Sequence, residues 1–294
     1  MPTPLPAKFT LADLRAARAD HRPVAMLTCY DYTTARLMDE AGVPMLLVGD
    51  SAANVVLGYD STVPVSLDLL IELTAAVRRG APRALLMGDM PFGSYAASAA
   101  QGVRNVVRML KLSGCDCVKL EVANGHAKLV RRLADNGAAV VAHLGLRPQA
   151  VHLMGGYRTQ GRTASSADSV VSAAVAMQAA GAAALLLEAV PAEVSAAVVA
   201  AVDLPVIGCG AGPACHGHVV VTPDAVGLKL GRVPRFVPQL ADVRPVLVGA
   251  YAEFVRQVSA GQYPGVEHVY PMPPDERAKF LARPEPLPLG NPDK

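Results

Sequence analysis

The sequence predicts an α/β protein whose chain closes into a (β/α)8 barrel, a TIM barrel, on three observations. Eight short apolar runs recur along the chain, amphipathic segments alternate with them, and glycine follows most of those segments. The runs are 24–30, 45–50, 84–90, 117–122, 139–144, 184–190, 205–210 and 219–223. Each is nearly continuous in apolar residues, as a parallel strand covered on both faces requires. The intervening segments 32–41, 66–79, 97–112, 126–136, 165–180, 192–201 and 238–259 read as helices. In 66–79, for example, Leu67, Leu70, Leu73 and Val77 fall on one helical face. Gly42, Gly80, Gly114, Gly137 and Gly181 stand at helix ends, where the left-handed conformation favours glycine. The alternative is an open doubly wound sheet, but a dinucleotide fold wants Gly-x-Gly-x-x-Gly directly after its first strand. The stretch from Cys29 to Ala35 contains no glycine.

Ahead of the first strand, Thr10 reads as a helix N-cap with Asp13 at the third helical position, flanked by Phe9 and Leu14 as a hydrophobic staple. This helix is expected to close the N-terminal face of the barrel. After Tyr270 the composition changes to prolines and charges. Residues 1–270 are therefore expected to form one barrel domain, and 271–294 a flexible Pro-rich tail.

The chain has 294 residues, enough for one large core without disulfides or a structural metal. Hydrophobic residues make up 52% and charged residues 18%, which excludes disorder for most of its length. There is no tryptophan, so Ala, Val and Leu carry the packing. A net charge of +2 offers no electrostatic case for nucleic acid. No apolar run reaches the roughly 18 residues of a membrane helix. The five cysteines and the lack of a secretory start point to reduced thiols in a cytoplasm.

A barrel of this kind keeps its active site at the C-terminal ends of the strands. The polar residues there are Asp31, Asp50 with Ser51, Asp89, Lys119 with Glu121, His143 and Glu188. A carboxylate at the end of an apolar run is costly unless paired or bound to metal. The acids Asp50, Asp89 and Glu121, with no clustered Cys or His, suit a hard cation with oxygen ligands, Mg²⁺ foremost. A 2-oxo acid would chelate such an ion, Lys119 would neutralise the substrate carboxylate, and Glu188 would remain free as a general base. Strand periodicity puts Lys119 and Glu121 on one face. Plainer readings stand beside these. Asp31 and Asp50 also fit helix N-caps, and Lys119 with Glu121 fits a structural ion pair. Cys215, His216 and His218 admit zinc or an ordinary loop. Cys115 and Cys117 read as a packed pair on one strand face.

The same residues carry a wider pattern. Val48–Ser51, Gly58–Thr62, Asp89–Phe92, Val118–Glu121, His143–Leu146, Gly155–Arg162, Leu187–Pro191, Pro205–Gly208 and Tyr263–Gly265 together resemble the ketopantoate hydroxymethyltransferase family, in order from about residue 8 to 270. The resemblance implies a TIM barrel that moves a hydroxymethyl group from 5,10-methylenetetrahydrofolate to 3-methyl-2-oxobutanoate through a Mg²⁺-stabilised enolate. The product is 2-dehydropantoate, on the way to pantothenate. It implies Mg²⁺ ligation by Asp50 and Asp89, with Glu121 joining through water. It implies substrate binding by Asp50, Ser51, Asp89, Lys119 and His143, and Glu188 as the catalytic base. It also implies a homo-oligomer, often a decamer. The chain departs from the family's usual residues at Tyr59, His216, His218, Pro223, Arg232 and Val266, away from the metal and base positions. A Mg²⁺-dependent lyase or aldolase on another 2-oxo acid, or a weakly active paralogue, stays open as an alternative.

Overall fold

In the computed structural model, which describes residues 7–282, all eight expected strands form and run parallel. They are β1 (Val24–Thr28), β2 (Met45–Val48), β3 (Leu85–Asp89), β4 (Cys117–Glu121), β5 (Val140–Gly145), β6 (Ala184–Glu188), β7 (Val206–Cys209) and β8 (Gly217–Val220). They close in chain order, and β8 returns to β1 with Met26 opposite Val219. The helices of this unit are α1 (Leu11–Ala19), α2 (Tyr32–Glu40), α3 (Ala52–Val55), α4 (Leu67–Gly80), α5 (Ala99–Ser113), α6 (Ala127–Asp135), α7 (Val151–Met154), α8 (Ala164–Ala179), α9 (Ala192–Ala201) and α10 (Thr222–Ala225). Of these, α3, α7 and α10 are single turns.

Side chains alternate between two cores, as the period of a strand demands. Met26, Met45, Leu47, Leu85, Met87, Cys117, Val141, Ala184, Leu186, Ile207 and Val219 fill the barrel interior. Their neighbours Leu46, Leu86, Val118, Leu120, Ala142, Leu185 and Leu187 face the helices. Leu14 and Ala17 of α1 join the interior cluster, with Phe9 packed against it. The cap of α1 is the expected box: Asp13 N–H donates to Thr10 Oγ1 at 3.3 Å, and Thr10 N–H to Asp13 Oδ2 at 2.8 Å. Such caps contribute about 1 kcal/mol.

Three expectations need correction. The last strand starts at Gly217 and ends at Val220, before Pro223, which sits in the first turn of α10. A side chain at 217 would strike the Val24 carbonyl at 2.6 Å, so a glycine that reads as loop is what lets β8 close the barrel. Cys115 and Cys117 do not share a face. The strand begins at Cys117, which points inward, while Cys115 packs in the outer cluster. The Cys215–His218 stretch is half strand: Cys215 is buried, His216 Nδ1 accepts from Val206 N–H at 3.0 Å, and His218 is exposed.

A second compact unit begins at Asp242 and holds α11 (Val243–Ser259) and α12 (Pro274–Leu281). Helix α11 buries none of its residues. The start of the tail, expected to be flexible, forms α12, with Pro274 in its first turn, Asp275 and Glu276 beside it and Lys279 in the last turn. The rest of the tail lies outside the described residues. No helix among those residues is long and apolar enough to cross a membrane.

Candidate active site

The alternation that fills the barrel also aims its chemistry. Asp89, Lys119, Glu121, His143 and Glu188 share strand parity with Met87, Cys117, Val141 and Leu186, so they face inward toward the C-terminal end of the tube. Asp50 and Ser51 follow β2 on the turn into α3. Asp50, Asp89, Lys119, Glu121 and His143 are all buried. Glu188 keeps 20% of its side-chain surface open.

Lys119 is the hub. Its ammonium lies 2.9 Å from Asp89 Oδ2, 3.8 Å from Glu121 Oε1 and 3.3 Å from His143 Nδ1. Asp89 Oδ2 also accepts the Asp50 backbone N–H at 2.8 Å. An ammonium only donates, so His143 Nδ1 must accept and the ring proton sits on Nε2. That nitrogen stands 3.3 Å from Glu188 Oε2, without the alignment of a hydrogen bond.

One ammonium faces four carboxyl groups here. Burial pushes Asp89 up to about 8 and Glu188 up to about 7, in each case against the pull of Lys119. Burial holds Glu121 well above the usual carboxylate range. Burial alone would lower the Lys119 ammonium, but Asp89, Asp50 and Glu121 together hold it well above its usual value. Burial, then Lys119, depress His143, which leaves its imidazole neutral.

The layer lacks positive charge, and its loose ends say where. Asp50 Oδ2, Asp89 Oδ1 and Glu121 Oε1 are buried oxygens with no hydrogen-bond partner. Orphaned carboxylate oxygens of this kind are what a hard cation satisfies. No group of three or more His, Cys, Asp or Glu among the described residues is preformed to hold a metal, and this applies to the Asp50, Asp89 and Glu121 set as well as to Cys215, His216 and His218. Mg²⁺ needs no such cage, because it is commonly held by one or two carboxylates and completes its shell with water and substrate.

Asp31 is not part of this layer. Its Oδ1 caps α2 by accepting from Thr34 N–H at 2.8 Å. Three contributors escaped the sequence reading. The Tyr30 hydroxyl, buried, pairs with Ser51 Oγ at 2.8 Å and fixes that hydroxyl. Gln149 donates its backbone N–H to Glu121 Oε2 at 3.1 Å and its amide to the Met90 carbonyl at 3.0 Å. The Tyr95 hydroxyl lies 3.0 Å from Gln149 Oε1 and 3.1 Å from the Glu121 carbonyl. Pro148 in the first turn ahead of Gln149 was the one available signal that this loop is rigid.

Glu188 is set by its backbone. Its carbonyl accepts from Leu146 N–H at 2.8 Å, and a side chain at Gly145, where φ is +90°, would strike that carbonyl at 2.3 Å. The next residue, Ala189, adopts a φ of +46°, which is uncommon outside glycine and stores strain beside the carboxylate.

The family model described as ketopantoate hydroxymethyltransferase matches residues 8–266. A 3-methyl-2-oxobutanoate hydroxymethyltransferase of Frankia alni is 47% identical, covering 91% of this chain and 88% of its own. That of Acidothermus cellulolyticus is 46% identical, covering 90% and 98%. Among solved structures, a phosphoenolpyruvate phosphomutase from Streptomyces platensis subsp. rosaceus aligns with a TM-score of 0.59 at 14% identity, over 92% of this chain and 96% of that one. A phosphonopyruvate hydrolase in complex with oxalate and Mg²⁺ aligns with a TM-score of 0.58 at 16% identity, over 92% and 98%, a likeness of fold. Barrel, inward-facing acids and near full-length similarity lead to one conclusion: the chain belongs to the ketopantoate hydroxymethyltransferase family of enzymes.

Proposed function

We propose that the protein transfers a hydroxymethyl group from 5,10-methylenetetrahydrofolate to 3-methyl-2-oxobutanoate, giving 2-dehydropantoate, with Mg²⁺ as its metal. The observation that carries this reading is Glu188, a carboxyl raised to about 7 at the open edge of an otherwise buried acid layer. A base poised near the working pH is what proton removal next to a keto group requires. The names of the curated relatives supply the substrate.

In this reading Asp50 and Asp89 would hold the ion, with Glu121 assisting, since each has a buried carboxylate oxygen without a partner. Bound there, Mg²⁺ supplies positive charge against the density that builds on the keto oxygen. Lys119 has three N–H bonds, of which Asp89 and His143 engage two, and the third, with Ser51 Oγ, receives the substrate carboxylate. Glu188 takes the proton from C3. Its ionised form is steadied by the Nε2–H of His143 after a small rotation. C3 then bonds to the donor's methylene carbon, both C–N bonds from that carbon to the folate nitrogens break, water adds the hydroxyl, and the two nitrogens take up the proton from C3 and one from water, leaving tetrahydrofolate. A homo-oligomer, a decamer as the resemblance implies, belongs to the same reading. It is supported by the exposed Val246, Tyr251, Phe254 and Val255 on α11. A cytoplasmic setting is supported by five free cysteines.

The test is proton exchange. With Mg²⁺ in deuterated water, the protein is expected to exchange the C3 proton of 3-methyl-2-oxobutanoate without folate. Glu188→Gln is expected to slow that exchange by about 10²–10⁴-fold. An unchanged rate would remove the base assignment.

A further inference from the structure

A cleft of about 380 Å³ lies between two loops of the barrel face, lined by Asp60 and Ser61 on one side and by His152, Gly155, Gly156 and Tyr157 on the other. Asp60 sits on the loop after β2, Tyr157 on the loop after β5. The strands between these two, β3 and β4, end in Asp89 and Glu121. The loops therefore meet across the part of the mouth that holds the acid layer. The Tyr157 hydroxyl is raised by burial and then by Asp50, Glu188 and Glu121.

Both walls are fixed. On the first, Tyr59 N–H donates to the Ala53 carbonyl at 2.8 Å, and the Tyr59 carbonyl accepts from Asn54 Nδ2 at 2.7 Å. On the second, Gly156 N–H donates to the Val151 carbonyl and Gln160 N–H to the Ala189 carbonyl, each at 2.9 Å. Between them the cleft presents three chemically distinct surfaces. Tyr157 is 53% exposed and offers a free ring. Gly155 and Gly156 form a bare stretch where an added Cβ would meet nothing within 4 Å. Asp60 is exposed and makes no ion pair among the described residues.

We propose that this cleft seats the pterin ring of the one-carbon donor, with Tyr157 stacked on its face and the Asp60 carboxylate on its amino-pyrimidinone edge. That edge presents an amino N–H beside a ring N–H, the two-donor pattern that a carboxylate's two oxygens match. The glycines let the ring lie against backbone, and the loop positions bring the carried carbon over the acid layer while the small keto acid occupies the layer below. The inference rests on the functional reading above, since it needs a folate donor.

The experiment measures calorimetric binding of tetrahydrofolate, and of 6-methyltetrahydropterin lacking the glutamyl tail, to the Mg²⁺- and keto-acid-loaded full chain. The variants are Asp60→Asn and Tyr157→Ala, and C3 proton exchange is followed in parallel. Each variant is expected to weaken both probes by about tenfold, one through a lost charge-assisted pair and the other through lost stacking. Exchange is expected to stay within about twofold of the parent. Wild-type affinity for both probes in both variants would overturn the cleft assignment. So would loss of tetrahydrofolate binding alone with tetrahydropterin binding unchanged, which would put the tail there instead. A parent protein that exchanges the proton but binds neither probe would overturn it too. A parent that fails to exchange strikes the base assignment of the preceding reading, and the two failures are thereby told apart.

Discussion

Gln149 joins the ends of β3, β4 and β5 with one side chain and one peptide N–H, and in doing so selects which oxygen of Glu121 stays free. Gln149→Leu keeps the bulk but removes the donor to the Met90 carbonyl and one of the two acceptors of the Tyr95 hydroxyl. Chemical denaturation is expected to report a loss of about 1–3 kcal/mol, the cost of unsatisfied buried groups, together with a lower kcat. Full stability in that variant would mean water replaces the amide. Glu188 carries a second residue-scale expectation. Only its ionised form accepts a proton, so the exchange rate is expected to rise through pH 7 and level off above it, following the value of about 7. A rate already flat from pH 5 would contradict that placement. The acids were legible in the sequence because a charge at the end of an apolar run has few inexpensive explanations. Tyr30 and Gln149 were not. A phenol ending an apolar run looks like core, and a glutamine in a loop looks solvated, until the fold brings Ser51 and Glu121 to them.

At the level of elements, β5 and β6 touch most closely where the base is held. Gly145→Ala would force a Cβ to 2.3 Å from the Glu188 carbonyl at a φ of +90°. We expect a loss of about 1–3 kcal/mol from backbone strain alone, and a proton-exchange defect out of proportion to it, because the displaced atom belongs to the base. Parent-like exchange in the folded variant would show that the carboxylate does not depend on this contact. Strands β2 to β7 could be read from sequence to within a residue or two because both of their faces are covered, which makes them continuous apolar runs; β1 is as apolar, although its outward Ala25 is exposed. The last strand defied the same logic: Gly217 and His218 open it, the first for clearance from Val24 and the second facing outward.

For the whole molecule, the excess of buried acid couples stability to pH and to metal. Asp89 rises from its ordinary 3.8 to about 8 on folding, so between pH 6.5 and 8 the folded chain holds a proton that the unfolded chain has released. Stability from this group therefore falls as pH rises across that window. Glu188 adds to the fall up to about 7. The depressed histidine His143 opposes the fall only weakly here, because its contribution fades above its ordinary value of 6.5. The metal-free protein is expected to lose thermal stability from pH 6.5 to 8, and Mg²⁺ to restore it increasingly over the same range, because the ion binds the ionised acids. A transition temperature indifferent to both would argue against a cation at Asp50 and Asp89. The packed interior beneath the acids carries a consequence for traffic. Met45, Leu47, Met87, Val141 and Leu186 pack the tube below them into a floor. A small guest seated on that floor must depart by the doorway it used, and a larger one resting above it bars the way. With the proposed donor seat above it, the keto acid would load first, and excess donor should lock that first guest in rather than compete with it.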